Sequence, residues 1–188
     1  MYYYPYMYPY HYYNRAPMYN YGRQAAYPAY PNPLEYAGPN EYWRASNEGA
    51  RIDLKDYGKQ PFVVNIEDAA EANNTFRTAL WTGDHLQLTV MSIPVGSDIG
   101  LEVHSSVDQF LRIEEGQGVV QMGDTESNLT FQRNVSEDYA IVVPAGKWHN
   151  LINTGNKPLK LYTIYAPPEH PFGTVHQTKT EAIAAEGH

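Results

Sequence analysis

Four polar residues near the middle of the chain have the types and spacing of a divalent-metal site. Glu102 and His104 are two positions apart, and on a β-strand this spacing places both side chains on one face. Gln109 follows after a short polar turn, and His149 comes about forty residues later. Two imidazoles, a carboxylate and an amide oxygen suit a divalent ion such as Mn, Fe, Co, Ni or Zn. The four side chains can bind one ion only if the fold brings their segments together.

The segments that carry these residues have the pattern of an all-β domain. From Thr75 onward, short apolar runs alternate with turns that contain glycine, proline, asparagine or aspartate. Eight or nine short strands at this spacing predict a sandwich or a barrel. The predicted strands are Phe76–Trp81, Leu86–Ile93, Ile99–His104, Gln109–Glu114, Gly118–Met122, Leu129–Phe131, Ala140–Val143, Trp148–Asn153 and Leu159–Ala166. Short helices are predicted within 65–72 and at the C-terminal end, 179–186.

A barrel would direct the four polar side chains into one lumen. Side chains of a barrel strand alternate between lumen and exterior, so inward-facing Glu102 and His104 imply that Leu101 and Val103 face outward. Buried polar groups need partners, and a metal ion would supply one for each ligand.

The spacing of these segments resembles the two sequence motifs of the cupin superfamily. The first motif, G-x5-H-x-H-x(3,4)-E-x6-G, corresponds to Gly96-x5-Glu102-x-His104-x4-Gln109-x6-Gly116. The second, G-x5-P-x-G-x2-H-x3-N, corresponds to Asp138-x5-Pro144-x-Gly146-x2-His149-x3-Asn153. Every spacing agrees, but Glu102 replaces the first histidine, Gln109 the glutamate and Asp138 a glycine. The resemblance covers about residues 75–168 and implies a double-stranded β-helix, a jelly-roll barrel with its site in the lumen.

Three longer stretches resemble a group of small bacterial single-domain cupin proteins that are sometimes labelled sugar-isomerase-like. These stretches are Phe76–Gly83, Asp108–Gly116 and Tyr165–His176. The ligand set also resembles that of phosphomannose isomerases, which are zinc-dependent cupins, with Gln and Glu exchanged. Because Glu102 supplies the carboxylate that Gln109 lacks, the ligand charge equals that of a standard cupin site. The resemblance therefore implies one divalent metal ion, held by Glu102, His104, Gln109 and His149.

Alternatives stay open for these residues and for the other histidines. The four lumen side chains can instead hydrogen-bond to one another in a metal-free barrel. His85 is expected at a turn or strand edge. His170 and His176 are expected in a surface loop beyond the barrel, which could cover the barrel mouth or dock on a neighbour.

The N-terminal part of the chain has a different composition. Residues 1–42 hold 14 of the 18 tyrosines and seven of the 14 prolines. Proline at this density blocks helix and central-strand pairing, so 1–42 is predicted to be a disordered tail. A polar linker, 43–60, and the cupin domain, 61–188, follow. Tyr/Pro-rich tails of this kind resemble those of bacterial spore-coat proteins, which implies attachment to coat-layer proteins.

Composition argues against several classes of site and partner. The chain has no cysteine, which excludes disulfides, thiolate metal sites and cysteine nucleophiles. Its formal charge is −8 with no Lys/Arg cluster, so nucleic acid is not expected as a partner. No apolar run approaches the roughly 20 residues that span a bilayer, so no membrane partner is expected. The N-terminus lacks the pattern of a secretory signal, which predicts cytoplasmic synthesis, with the spore coat as the candidate final location.

Two function hypotheses follow from these features. The first is a metal-dependent isomerase or oxygenase that acts on a small polar or sugar-like molecule, with Glu102 as the candidate catalytic proton acceptor. The second is a non-catalytic spore-coat or assembly protein that is attached through its tail. The two are compatible, because an enzyme can be tethered in a coat. Cupins often dimerise through barrel faces, so a homodimer is the expected assembly.

Overall fold

A computed structural model describes residues 52–186, which form antiparallel β-sheets and two short helices. The strands are β1 (Arg77–Thr82), β2 (Gln87–Ile93), β3 (Glu102–Val103), β4 (Asp108–Glu115), β5 (Gln117–Gly123), β6 (Phe131–Ser136), β7 (Ala140–Val143), β8 (Trp148–Asn153), β9 (Leu159–Ala166) and β10 (Val175–His176). The helices are α1 (Ile66–Ala72) and α2 (Lys179–Glu186). Neither helix in this part of the chain is long and apolar enough to cross a membrane.

Within residues 52–186, the strands form two sheets that face each other. The larger sheet has the strand order β10-β1-β2-β9-β4-β7, and the smaller has the order β3-β8-β5-β6. Neighbours such as β4 and β9 are far apart in sequence, as in a jelly roll. A cluster of buried apolar side chains from both sheets fills the space between them. The predicted all-β jelly-roll fold is confirmed, whereas the predicted tail lies outside the described residues.

The side chains that face the lumen change from polar to apolar along the strands of the larger sheet. Near one end, three residues pair in register across β2, β9 and β4 and form a polar rung: Gln87, Tyr165 and Gln109. Four residues further along each strand, the same rows form an apolar rung: Met91, Leu161 and Ile113. All six residues are at most 2% exposed. The lumen therefore has a polar end and an apolar end.

Helix α1 and the segment before it cover part of the larger sheet. Two buried alanines of α1 pack against Leu80 and Val90 in a second apolar cluster. Ile52 and Leu54 pack against the same cluster, although they lie in the part of the predicted linker that the structure describes, 52–60. This layer shields the outer face of the sheet, so that the sheet is buried on both sides there.

Three strands differ from the sequence-based prediction. Strand β6 occupies Phe131–Ser136, and the predicted strand at 129–131 is wrong in extent. Four of the six residues in β6 are exposed and only Val135 is fully buried, so the strand lacks the apolar pattern that predicts strands. Strand β3 is only two residues long and follows a turn at Gly100, where φ is +99°. Strand β10 is also two residues long and offers no pattern to detect.

Backbone geometry explains the glycines of the two motifs. Gly96, Gly116 and Gly146 have φ of +72°, +97° and +79°, a region that favours glycine. Asp138 replaces the first glycine of the second motif, and its φ is +70°. It is the only non-glycine residue with positive φ in the described range, and aspartate tolerates this region better than most residues. The exchange therefore keeps the turn that the motif requires.

Candidate metal centre

Glu102, His104 and His149 come together at the polar end of the lumen. Strand β3 pairs with β8 in a register that sets Glu102 opposite His149. His104 follows β3 directly, and its position two residues after Glu102 returns its side chain to the same face. One carboxylate oxygen and two ring nitrogens of these residues all lie within 4.8 Å of one another. Strand pairing thus joins two motifs that are far apart in sequence.

Each of the three residues presents an unpartnered polar atom to the others. Glu102 Oε1 lies 3.4 Å from His104 Nε2 and 3.3 Å from His149 Nε2. All three atoms are buried, and none makes a hydrogen bond with another described residue. An ion with bonds of about 2.1 Å to nitrogen and oxygen sets adjacent ligand atoms roughly 3.0–3.5 Å apart. The separations and the unmet hydrogen-bonding capacity show that these three residues could hold one metal ion.

A hydrogen bond on the side of the His149 ring away from the cluster determines which ring nitrogen faces the cluster. His149 Nδ1 lies 3.0 Å from the carbonyl oxygen of Lys147. A carbonyl oxygen can only accept, so Nδ1 carries the proton and donates it. Nε2 is then the nitrogen that faces Glu102, and its lone pair can bind a metal once Nε2 carries no proton.

The electrostatics of the cluster keep Glu102 ionised. Burial acts to raise the pKa of Glu102, but contacts with His104 and His149 and the charge of Arg77 outweigh it and hold that pKa well below its ordinary value of 4.5. Burial also acts to lower the pKa of His104, but the carboxylates of Glu102 and Glu169 outweigh it and raise that pKa above 6.5. An ionised carboxylate is the form that a divalent metal requires.

Gln109, the fourth predicted ligand, lies on β4 in the larger sheet. Its side chain is 2% exposed, and its Nε2 donates to the Thr163 hydroxyl at 3.3 Å. Its Oε1 is buried and has no hydrogen-bond partner among residues 52–186. An amide ligand would present such an oxygen to an ion, and ligation by Gln109 stays a prediction.

The segment after β9 covers the mouth of the barrel. The Tyr165 ring packs edge-on against His104 and His170, with centroid distances of 5.6 and 4.9 Å. His170 is 7% exposed, and burial lowers its pKa to about 3, so the ring is neutral. The expectation that His170 is a surface residue is therefore wrong, because the loop folds back over the lumen. His176 is half-buried in the same region, whereas His85 is exposed in the turn between β1 and β2.

A cavity of about 280 Å³ opens beside the cluster. Glu102 and His104 line it together with Glu169 and Thr174 of the loop and His176 of β10. The volume lies just below the range for small-molecule sites, which is roughly 300–1,000 Å³. The site therefore combines converging ligand atoms with room for a small ligand.

Glu169 is the site residue that the sequence analysis does not identify. Its Oε1 lies 3.2 Å from His104 Nδ1, on the side of the ring away from the cluster. Its only signal in the sequence is its place in Tyr165–His176, one of the stretches that resemble the bacterial cupin group. Neither motif includes this position, so their spacing does not identify it.

Sequence similarity relates the chain to known proteins. The Cupin domain family matches residues 89–165, a span that contains all four predicted ligands. The protein YrkC of Bacillus subtilis is 60% identical over 186 residues, which cover 99% of this chain and 100% of YrkC. Protein L612 of Acanthamoeba polyphaga mimivirus is 39% identical over 117 residues, which cover 62% of this chain and 71% of L612.

A solved structure agrees with the same assignment. The crystal structure of BH2720 from Bacillus halodurans is 66% identical in sequence and has a TM-score of 0.70. The match covers 70% of this chain and 100% of the BH2720 chain. Both the sequence and the barrel fold are therefore shared with known proteins, and the chain belongs to the cupin superfamily.

Proposed function

We propose that this cupin binds one divalent metal ion and acts on a small polar or carbohydrate-like molecule, as an isomerase or an oxygenase. One observation carries the proposal. Three buried, unpartnered ligand atoms of Glu102, His104 and His149 converge beside a cavity with room for a small ligand. Leaving such atoms without partners is costly, and an ion removes the cost for all three.

The side chains of the site have separate roles in this proposal. Glu102, His104 and His149 would hold the ion, with Gln109 as a fourth ligand. Such an ion supplies Lewis-acid polarisation of a carbonyl group or, for iron, chemistry with O2. Glu102 is the candidate proton acceptor because its carboxylate lines the cavity beside the cluster.

The walls of the cavity favour a ligand with hydroxyl groups. Glu169 and Thr174 both line the cavity and carry oxygen atoms that accept hydrogen bonds. His176 lines it as well, and the cavity volume of about 280 Å³ limits the ligand to a small molecule. The resemblance to cupins labelled sugar-isomerase-like supports the same ligand class.

Metal analysis and a substrate screen test this proposal. Elemental analysis of the purified protein should find close to one metal ion per chain. A screen of aldose–ketose pairs and of O2 consumption should find turnover that Glu102→Ala abolishes. Glu126→Ala, in an exposed turn, is the control that should retain it. The proposal is wrong if the protein is metal-free and neither chelator nor added metal changes its thermal unfolding.

We also propose that the Tyr/Pro-rich tail attaches the barrel, as a homodimer, to a proteinaceous layer such as a spore coat. The composition of residues 1–42 supports this, and the match to YrkC extends over 99% of the chain and so includes the tail. Localisation of the full chain and of a chain lacking 1–42 should differ. Unchanged localisation without the tail would argue against attachment, and sedimentation should give twice the mass of one chain.

A further inference from the structure

The His104 ring has a different neighbour on each side. On the cluster side, Nε2 lies 3.4 Å from Glu102 Oε1. On the other side, Nδ1 lies 3.2 Å from Glu169 Oε1. The His104 side chain is 9% exposed, whereas that of Glu169 is 32% exposed at the cavity. Glu169 thus contacts a ligand residue from outside the cluster.

This contact selects one form of the neutral His104 ring. A neutral imidazole has one N–H group, and an ionised carboxylate can only accept a hydrogen bond. Glu102 Oε1, 3.4 Å from Nε2, competes for the same proton in the metal-free protein. Glu169 favours the form with the proton on Nδ1, in which the lone pair of Nε2 faces the cluster. His149 is held in the same way by the Lys147 carbonyl. Two separate acceptors therefore direct both Nε2 lone pairs into one cluster.

The loop that carries Glu169 is fixed by a buried amide. Gln87 is fully buried, its Nε2 donates to the His170 carbonyl at 2.9 Å, and its Oε1 accepts from the His170 backbone N–H at 3.0 Å. Asp56 accepts a hydrogen bond from the Gly173 backbone N–H at 2.9 Å. These contacts tie the loop to β2 and to the segment before α1, so Glu169 is held against His104.

We propose that Glu169 is a positioning residue for the metal centre, and that Gln87 holds it in place. Glu169 fixes His104 in the Nδ1–H form and orients the ring, so that Nε2 is ready to bind metal. Carboxylates that accept from the far nitrogen of a ligand histidine commonly contribute 10–100-fold to metal affinity. The inference rests on the proposed metal site, but the state of the His104 ring can be measured without metal.

Nitrogen NMR of the histidine rings tests the proposal in metal-free protein. Glu102→Ala removes the competing acceptor at Nε2, and in this background the neutral His104 ring should show the Nδ1–H form. With Glu169→Ala added, it should show a mixture of the two forms. His149 is an internal control, since its Lys147 acceptor is unchanged and its ring should stay Nδ1–H in both proteins. A His104 ring that does not change when Glu169→Ala is added would overturn the proposal.

Zinc affinity, measured by competition with a chelator, gives a second readout. Glu169→Ala should weaken binding 10–100-fold, and Glu169→Gln should weaken it less, because its amide oxygen still accepts from Nδ1. Gln87→Met should weaken binding in the same direction by releasing the loop, and Glu126→Ala should leave it within about twofold. Equal affinities for wild type and Glu169→Ala would overturn the proposal. A wild type that binds no zinc contradicts the proposed function, and the ring spectrum then decides the role of Glu169 alone.

Discussion

The two ends of the lumen differ in the side chains that the larger sheet presents. Near the mouth of the barrel, the polar rung across β2, β9 and β4 consists of Gln87, Tyr165 and Gln109. Four residues further along each strand, the apolar rung consists of Met91, Leu161 and Ile113. Both rungs are at most 2% exposed, so burial does not distinguish them. The apolar rung gains about 25 cal/mol for each Å² removed from water. The polar rung gains only if its polar atoms find partners. One end of the lumen thus stabilises the barrel by apolar burial, and the other depends on hydrogen bonds and holds Gln109 Oε1, which has no partner among residues 52–186.

Two buried amides show the same difference between the ends. Asn153, at the apolar end, donates to the carbonyls of Ile93 and Lys157 at 2.9 Å each and accepts from the Gly155 backbone N–H. Gln109, at the polar end, has one long hydrogen bond and an oxygen with no partner among the described residues. Asn153 therefore organises the chain, whereas Gln109 has capacity left for an ion.

Removing a ligand at the polar end should have the largest effect, and that effect should be on metal binding. We expect His149→Ala to weaken zinc binding at least a thousandfold, or about 4 kcal/mol. The free energy of unfolding of the metal-free protein should change by only about 1 kcal/mol. Chelator competition and denaturant unfolding measure the two quantities. Retained zinc affinity would show that His149 is not a ligand.

Truncating the apolar rung should have the opposite pattern. Leu161→Ala leaves a cavity at a fully buried position, which typically costs 2–5 kcal/mol of unfolding free energy, so we expect about 3 kcal/mol here. Zinc affinity of the folded protein should stay within about threefold of the wild type. Urea unfolding of the metal-free protein gives the first value and chelator competition the second. A tenfold loss of affinity would show that the two ends are mechanically coupled.

The convergence of Glu102, His104 and His149 was predictable because strand alternation and strand pairing determine it. The i, i+2 spacing of Glu102 and His104 places them on one face, and the jelly-roll register sets Glu102 opposite His149. A different residue type at a motif position can keep this geometry. Asp138 is an example, because it has the positive φ that the motif's glycine would adopt there. The fold and the place of the cluster therefore follow from the sequence.

The residues around the cluster were not predictable, since contacts distant in sequence position them. The hydrogen bonds of Gln87 with the His170 backbone span 83 residues. No periodic pattern indicates that the loop with Glu169 returns to the barrel mouth. A proline-rich loop with two histidines is more often on the surface, and here a buried amide on β2 reverses that expectation.

Replacing Gln109, the amide at the polar end, should separate its effect on stability from its effect on zinc binding. Both effects should be smaller than those of the two changes above. Gln109→Leu removes a buried oxygen that has no partner, so we expect the unfolding free energy of the metal-free protein to rise slightly or stay within about 1 kcal/mol. Zinc affinity should fall about tenfold, or about 1.4 kcal/mol, if Gln109 is a ligand. The matched change at the apolar end, Asn153→Leu, should instead destabilise the protein by about 3 kcal/mol because it leaves backbone groups unpaired. Unchanged zinc affinity in Gln109→Leu would exclude the amide from the site.

A change of pH should give the smallest effect and act only on the polar end. The pKa of His104 is raised in the folded state, so its stabilisation is complete below pH 6.5 and is lost as the pH rises through the folded pKa. The pKa of Glu102 is lowered, so its contribution is present above pH 4.5 and is lost only in stronger acid. His170 acts in the opposite direction below pH 6.5, because its folded pKa of about 3 keeps the buried ring neutral while protonation favours the unfolded chain. The metal-free protein should therefore be most stable near pH 6.5 and decline modestly above it, because burial of His104 offsets part of the carboxylates' effect. Zinc must displace the His104 proton, so its affinity should rise over the same range in which the metal-free protein weakens. Denaturant unfolding from pH 6.5 to 8.5 measures the slope of stability, and chelator competition measures the slope of zinc affinity. If both rise or both fall with pH, the histidine that titrates is not the one that binds the ion.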